Sequence, residues 1–93
     1  MSGFEWDEKK AKGNLRDHKI TFEEGATIFN DPFVAMLPDL EHSINEERNI
    51  GIGMSIKDRM LVVVYTDRGE NRRIISCRKA TPAEREIYEK SDY

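Results

Sequence analysis

Residues 60–81 constrain the fold of this chain most strongly, because they contain two strand-like runs joined by a short polar loop. The first run, residues 61–65, is rich in β-branched side chains and ends on an aromatic, which is typical of a buried strand. The second run, residues 73–77, carries cations at both ends. The linking residues 67–71 are polar and include a glycine. We therefore expect a central hairpin with a basic rim.

The residues on either side of this hairpin predict a helix and a further strand. Thr81 is a good N-cap, Pro82 suits the first helical position, and Glu84 completes a capping box. We expect this helix to end near Lys90. Upstream, residues 48–55 alternate apolar side chains with small ones, which predicts a strand that a helix or a ligand can approach closely.

The N-terminal residues predict a short strand and a first helix. Residues 4–6 alternate aromatic and charged side chains, as in a strand with one apolar face. Asp7 can cap a helix over residues 8–17. A narrow stripe at i, i+4 and i+7 should dock this helix on the sheet. The stripe consists of Ala11, Leu15 and His18.

A second helix is predicted to begin at Thr21, which can form a capping box with Glu24. Pro32 stops this helix, because proline cannot continue it. Residues 33–37 are either a short strand or a packed connection. Residues 38–47 are polar and acidic, which indicates an exposed loop.

These elements predict an α+β fold in one domain, residues 1–93. The sheet should be small and antiparallel, with a three-stranded meander and a short N-terminal strand. Two N-terminal helices and one C-terminal helix should pack on it. The expected sheet core consists of Val62, Val64, Ile74 and Ile52.

Composition argues against several classes of protein. The single cysteine, Cys77, excludes an internal disulfide, and its apolar strand favours a buried thiol over a nucleophile. No stretch approaches the roughly 20 apolar residues of a membrane span, and we see no leader sequence. We therefore expect a cytoplasmic protein with no membrane partner.

Charge is unevenly distributed along the chain, whose net charge is −3. Residues 48–79 hold eight Lys and Arg against three Asp and Glu, a net +5, whereas residues 1–47 carry a net −6. A basic middle in an acidic chain favours a localised anionic partner. The alternative, to which charge alone gives equal weight, is that arginines at strand ends serve solubility.

Metal and cofactor sites have no support in the sequence. His18 and His42 are far apart, and no Cys or His pair has zinc-like spacing. Residues 39–41 lack the calcium-loop pattern, and Gly51 and Gly53 lie within a strand, so they do not form a phosphate loop. No nucleophile elbow is present. We predict no metal and no cofactor.

The remaining chemical groups are cations and proton-transfer residues. Arginine forks clamp phosphates in two-point geometry, and Tyr, His, Glu or Lys can move the proton of a ribose 2′-hydroxyl. Together they suit metal-free RNA cleavage. The catalytic candidates are Arg73, Arg78, Tyr65, Lys79, Glu47 and His18. The RNA-binding candidates are Arg48, Arg72 and Arg59.

Several of these candidates also have a structural interpretation. His18, on its helix stripe, is more often a half-buried histidine with its hydrogen bonds satisfied. Tyr65 at a strand end usually serves packing. Glu47 next to Arg48 can be a surface ion pair worth less than about 1 kcal/mol. His42 in the acidic loop has no evident role.

The same residues form a pattern that extends along most of the chain. Its first part consists of Phe4-Glu5-Trp6-Asp7, Lys10, Asn14, His18, Phe22-Glu23-Glu24 and Asp31-Pro32. Its second part consists of Glu47-Arg48, Gly53, the run 61–66 and the run 73–81. In this order and combination the chain resembles the BrnT toxins. Cys77 stands where a small residue such as alanine is common in that family.

The resemblance implies a RelE-like α+β fold and a ribonuclease toxin of a type II toxin–antitoxin pair. It also implies neutralisation by a BrnA-like ribbon-helix-helix antitoxin, and contact with operon DNA only through that antitoxin. Two rival functions are a non-catalytic subunit that docks an acidic protein segment through its basic rim, and a degenerate toxin kept as a co-repressor.

Overall fold

The computed structural model describes residues 3–43 and 46–90, which form an α+β fold with a mixed five-stranded sheet. The strands are β1 (Gly3–Glu5), β2 (Ala35–Pro38), β3 (Asn49–Met54), β4 (Met60–Arg68) and β5 (Asn71–Lys79). The helices are α1 (Glu8–His18), α2 (Phe22–Ala26) and α3 (Pro82–Lys90), with 3-10 turns at Thr27–Asn30 and Leu40–His42. No helix in the two described ranges is long and apolar enough to cross a membrane.

The sheet is larger than predicted. Its strand order is β1-β5-β4-β3-β2, and β3, β4 and β5 pair antiparallel in succession. The predicted three-stranded meander is therefore only its centre. Residues 33–37, left open between strand and connection, contribute to β2, which pairs antiparallel with β3. The N-terminal strand β1 pairs parallel with β5, so the sheet is mixed.

The two faces of the sheet bury different clusters. On the face covered by α1 and α2, the core contains Ile20, Phe22, Ile28, Leu61, Val63, Tyr65, Ile74 and Cys77. On the other face, Ala35, Ile52, Met60 and Val62 pack with Tyr88 of α3. Three of the four predicted core residues are buried, but Val64 is only half-buried. Its neighbour Val63 is fully buried instead, because Val63 faces the two N-terminal helices.

Helix α1 docks only partly through the predicted stripe, of which Ala11 packs against the core. Leu15 is 47% exposed and His18 is exposed, so the predicted stripe turns partly to solvent. Asn14 is buried instead: its Nδ2 donates to the carbonyl of Ile20 at 2.9 Å, and its Oδ1 accepts from the N–H of Cys77 at 3.0 Å. A buried amide with both groups paired thus ties α1 to β5.

The glycines of β3 allow the close approach that was predicted. A Cβ built on Gly51 would lie 3.1 Å from a ring carbon of Phe29, and one on Gly53 would lie 3.2 Å from Ile28. The 3-10 turn after α2 therefore packs directly on the β3 backbone.

Candidate functional site

A bulge in β5 places Arg73 and Arg78 on the same face of the sheet. The two are five positions apart, an odd number, so in a regular strand their side chains would point to opposite faces. The register shifts between Val64 and Tyr65, where β5 has one more residue than β4. That extra residue is Ile75, and after it the side-chain alternation is reset. Both arginines consequently lie on the face that carries α3.

We call this surface the arginine face. It consists of Arg48, Thr66, Arg73, Ser76 and Arg78. Thr66 pairs with Arg73 across the strands, so the two share a face. Arg48 is two residues before Ile50, which lies on this face of β3, so the alternation of side chains places Arg48 there as well. The β4 partners of Arg73 and Arg78 are four residues apart, so their Cα atoms are separated by roughly 13 Å.

Arg78 holds a carboxylate in two-point geometry. Its Nη1 and Nη2 donate to Oε1 and Oε2 of Glu84, both at 2.7 Å. The guanidinium holds the pKa of Glu84 down at about 2. Glu84 also accepts from the N–H of Thr81 at 2.9 Å, so the predicted capping box is confirmed. One carboxylate therefore caps α3 and fastens it to β5.

Arg73 adjoins a second carboxylate. The parallel pairing of β1 with β5 sets Glu5 beside Arg73, whose Nη1 donates to Glu5 Oε2 at 3.1 Å. Asn71 donates to the other oxygen at 3.2 Å. The hydrogen bond from Asn71 and then that from Arg73 lower the pKa of Glu5 below its ordinary value. Glu5 is thus an ionised carboxylate at the end of the arginine face.

Arg48 and Glu47 lie at the start of β3. Arg48 Nε is 3.6 Å from Glu46 Oε1 and buried, and among the described residues it has no hydrogen-bond partner. The carbonyl of Glu47 accepts from Thr66 Oγ1 at 2.6 Å, which fixes its backbone beside the arginine face. The side chain of Glu47 is exposed.

Tyr65 lies on the opposite face of the sheet from Arg73 and Arg78. It is 3% exposed, packs edge-on against Phe29, and burial raises its pKa. The guanidinium of Arg72 covers the Tyr65 ring at 4.5 Å and pairs with Asp67 at 2.7 Å. The structure therefore does not bring Tyr65 and Arg72 together with the two other arginines.

Lys79 and His18 also lie away from the arginine face. Lys79 neighbours Arg78 in β5, so alternation turns its side chain away from the arginine face. It lines a pocket of about 240 Å³ together with Arg59 and with Arg85 of α3. His18 ends α1, the helix packed on the opposite face. These two candidates remain predictions, and the structure does not bring their side chains to the arginine face.

Arg59 is held by a buried carboxylate. Its Nε donates to Glu24 Oε2 at 2.9 Å, and Ser55 Oγ donates to the same oxygen at 2.7 Å. The predicted capping box of α2 is accordingly only half formed. Thr21 Oγ1 accepts the N–H of Glu24 at 3.0 Å, but the carboxylate turns to Arg59. This network anchors the turn between β3 and β4.

Two carboxylates that pair with arginines of the arginine face were not among the predicted site residues: Glu5 and Glu84. The sequence predicted only a helix-capping role for Glu84, and only a place in a strand for Glu5. Pairing across distant elements joins each to its arginine. In residues 3–43 and 46–90, no three His, Cys, Asp or Glu side chains gather in a way that could hold a metal ion.

Comparisons with known proteins agree on one family. The family model described as "Ribonuclease toxin, BrnT, of type II toxin-antitoxin system" matches residues 6–84. A comparison with curated proteins gave no match. Among solved structures, the chain is similar to the crystal structure of the Brucella abortus ribonuclease toxin, BrnT, with a TM-score of 0.68 and 21% identity over 87% of this chain and 99% of that chain. Because the family model spans most of its length, this chain belongs to the BrnT family of ribonuclease toxins of type II toxin–antitoxin systems.

Proposed function

We propose that this chain is a metal-independent endoribonuclease that binds and cleaves RNA on the arginine face. The observation that carries this proposal is the two-point grip of Arg78 on Glu84, at 2.7 Å for both contacts. Two oxygens of a phosphate fit the same fork, so the Glu84 carboxylate occupies the place of a phosphate. RNA would therefore displace Glu84 when it binds.

In the proposed reaction, the ribose 2′-oxygen attacks phosphorus while a protein group takes its proton. Glu5 is the carboxylate best placed for this, because it is ionised and 3.1 Å from Arg73. The P–O5′ bond breaks, the 5′-oxygen takes a proton from solvent, and a 2′,3′-cyclic phosphate forms. The separation of roughly 13 Å between the Cα atoms of Arg73 and Arg78 suits contacts with different phosphates of one strand. One arginine would then stabilise the charge at the scissile phosphate.

The partner in this proposal is a BrnA-like ribbon-helix-helix antitoxin that occludes the arginine face. Operon DNA would be contacted only through the antitoxin. The toxin would act in the cytoplasm as one domain, residues 1–93, with a RelE-like arrangement of sheet and helices. The partnership itself follows from the family, which is one of type II toxin–antitoxin pairs.

A second candidate function is a non-catalytic antitoxin-binding subunit or co-repressor. The observation that favours it is the pairing of each arginine on the face with a carboxylate of the same chain: Glu5, Glu46 and Glu84. Arginines already neutralised in this way can serve packing alone. In that case RNA would not displace the carboxylates that pair with these arginines.

Incubation of the purified protein with RNA in the presence of EDTA separates these functions. We expect cleavage to continue and the 5′ fragment to end in a 2′,3′-cyclic or 3′-phosphate. A 2′-deoxy substitution at the cleavage site should block the reaction. Dependence on Mg²⁺ with a 3′-hydroxyl product would contradict the mechanism, and no cleavage by a folded protein would favour the binding subunit.

The proton-transfer role can be tested with two matched variants. Glu5→Gln keeps the side-chain size but cannot accept the proton, so we expect cleavage to fall by roughly a hundredfold. Glu47→Gln removes an exposed carboxylate near the same face and should have a smaller effect. The opposite ranking of the two rates would assign the base to Glu47.

A further inference from the structure

The outer edge of β2 is an exposed, apolar strand edge. β2 is the last strand of the sheet order and pairs with β3 on its inner side. Within the described part of the chain, no strand pairs with its outer side. Open strand edges are hazards that proteins usually blunt with charges or cover. Here the only such feature within the strand is Pro38 at its end.

The direction of the free backbone groups follows from the pairing of β2 with β3. In the register that pairs Ala35 with Ile52, Asp39 lies opposite Arg48. The N–H of Asp39 donates to the carbonyl of Arg48 at 2.8 Å, so this pair is a hydrogen-bonded one. In an antiparallel ladder, bonded and non-bonded pairs alternate. Leu37, two residues from Asp39, therefore bonds inward to β3, and Met36 directs its N–H and its C=O outward. The open edge thus presents one complete donor and acceptor pair.

Apolar side chains flank this pair of backbone groups. Met36 is 53% exposed and Leu37 is 36% exposed, and successive residues of a strand point to opposite faces. Leu40, in the 3-10 turn after β2, is 82% exposed. An extended segment lying beside β2 would meet an apolar side chain on either face of the sheet. This arrangement fits recognition by strand addition.

The charge beyond the C-terminal end of β2 indicates the composition of the segment. Residues 39–48 contain four acidic residues and one arginine. Asp39 pairs with His42, and Glu46 with Arg48, but Glu41 and Glu47 are exposed. A complementary segment therefore carries Lys or Arg beside its apolar residues.

From these observations we infer that an extended, apolar and basic segment of the antitoxin adds to the outer edge of β2. The inference rests on the antitoxin partner that the BrnT family implies, and it names one surface of the toxin that this partner binds. Leu37 lies on the same side of the sheet as Val62 and Ile50, so a chain leaving this edge can continue over the arginine face.

Two kinds of variant test the site against the antitoxin encoded beside the toxin. Met36→Pro removes the outward N–H without removing a bond to β3. Leu40→Lys removes an exposed apolar contact and adds a positive charge, which repels a basic segment. Each should weaken antitoxin binding by about tenfold or more, measured by calorimetry. Ile56→Lys is the control, because it adds the same charge at an apolar residue that is 78% exposed. Ile56 follows the end of β3 that pairs with Ala35, whereas Leu40 follows the other end of β2.

Leu40→Lys should retain the cleavage rate of the free wild-type protein and lose neutralisation by the antitoxin. Unchanged antitoxin affinity in both folded variants would overturn the inference. A wild-type dimer that Met36→Pro dissociates, with antitoxin affinity unchanged, would assign the edge to a second copy of the chain. An absence of RNA cleavage together with weakened antitoxin binding would refute the proposed activity and leave this docking site supported.

Discussion

At the scale of single residues, the arginine face depends on the geometry of guanidinium groups and not on charge alone. Arg78 contacts Glu84 through two parallel hydrogen bonds, which an ammonium group cannot reproduce. Arg16 makes a comparable pair with Asp17, but it lies on α1 and is 76% exposed. Both arginines bond a carboxylate at two points, but only Arg78 lies on the arginine face, so Arg16 is a suitable control for Arg78.

Arg78→Lys should lower the rate of RNA cleavage by about tenfold or more, because lysine keeps the charge and loses the two-point fork. Arg16→Lys should leave the rate unchanged. Both variants are compared with the wild-type protein by initial rates under single-turnover conditions, and thermal melting verifies that they fold. Equal rates for Arg78→Lys and the wild type would remove Arg78 from the proposed mechanism.

Glu84 provides a pH-dependent contribution to stability. Its pKa is about 2 in the folded protein, mainly because Arg78 bonds to it, against an ordinary value of 4.5. The ionised carboxylate therefore stabilises the fold above about pH 4.5, and this contribution is lost as the pH falls towards 2. Glu84→Gln lacks the titrating group.

Melting temperatures at pH 7, 4.5, 3 and 2 test this linkage. We expect the wild type to lose more stability than Glu84→Gln between pH 4.5 and pH 2, so that the difference between the two proteins shrinks. Curves that stay parallel over this range would mean that the Arg78–Glu84 pair contributes nothing measurable to stability.

At the scale of elements, the close packing of α2 on β5 depends on Gly25 and Cys77. A Cβ built on Gly25 would lie 2.3 Å from Cys77 Sγ, so no larger residue fits there without a shift. Burial raises the pKa of the Cys77 thiol to about 12, which keeps it protonated and suits a packing role. The sequence predicted that role for Cys77 but gave no sign of its neighbour.

Gly25→Ala should destabilise the protein by about 1–3 kcal/mol through overpacking. Adding Cys77→Ala, which removes the sulfur atom, should recover part of that loss. Gly13→Ala is the control: its Cβ meets only a side-chain atom of Arg16 at 3.7 Å, so helix propensity should raise stability by up to about 1 kcal/mol. Denaturant unfolding measures the free energy of unfolding of each variant and of the wild type. A Gly25→Ala variant as stable as the wild type would show that α2 can move away from β5.

At the scale of the whole molecule, the proposed RNA site is a small group of arginines on an acidic chain. The net charge is −3, and three arginines, Arg48, Arg73 and Arg78, lie on the arginine face. The electrostatic part of RNA binding should therefore come from few phosphate contacts. Binding should be correspondingly less sensitive to salt than that of a strongly basic protein.

For three phosphate contacts on single-stranded RNA, the slope of log K against log salt should be about −2. Arg78→Ala should reduce its magnitude by roughly 0.7. Fluorescence anisotropy with a 2′-deoxy-substituted RNA, which the enzyme should not cleave, measures both slopes. A wild-type slope near zero, or one unchanged by Arg78→Ala, would contradict phosphate binding by this face.

The local elements of this protein were largely predictable from sequence, because their signals lie within a few residues of one another. Asp7 accepts hydrogen bonds from the first turn of α1, and the Thr81–Glu84 box opens α3, as their spacing predicts. The β-branched run of β4 and the glycines of β3 likewise have local causes. The buried contact of α1 with β5 was missed because an asparagine, Asn14, makes it, and apolar periodicity carries no signal for that contact.

The site itself depended on contacts between distant parts of the chain. Arg73 and Arg78 lie on one face only because Ile75 forms a bulge, and no local pattern marks that residue as the extra one. Their partners, Glu5 and Glu84, lie near opposite ends of the chain. Tyr65 lies on the opposite face of the sheet, where it packs against Phe29. The sequence by itself determined which chemical groups this protein has and where its helices and strands begin. Strand pairing decided which of those groups share a surface, because side-chain direction in a sheet changes with every single-residue shift in register.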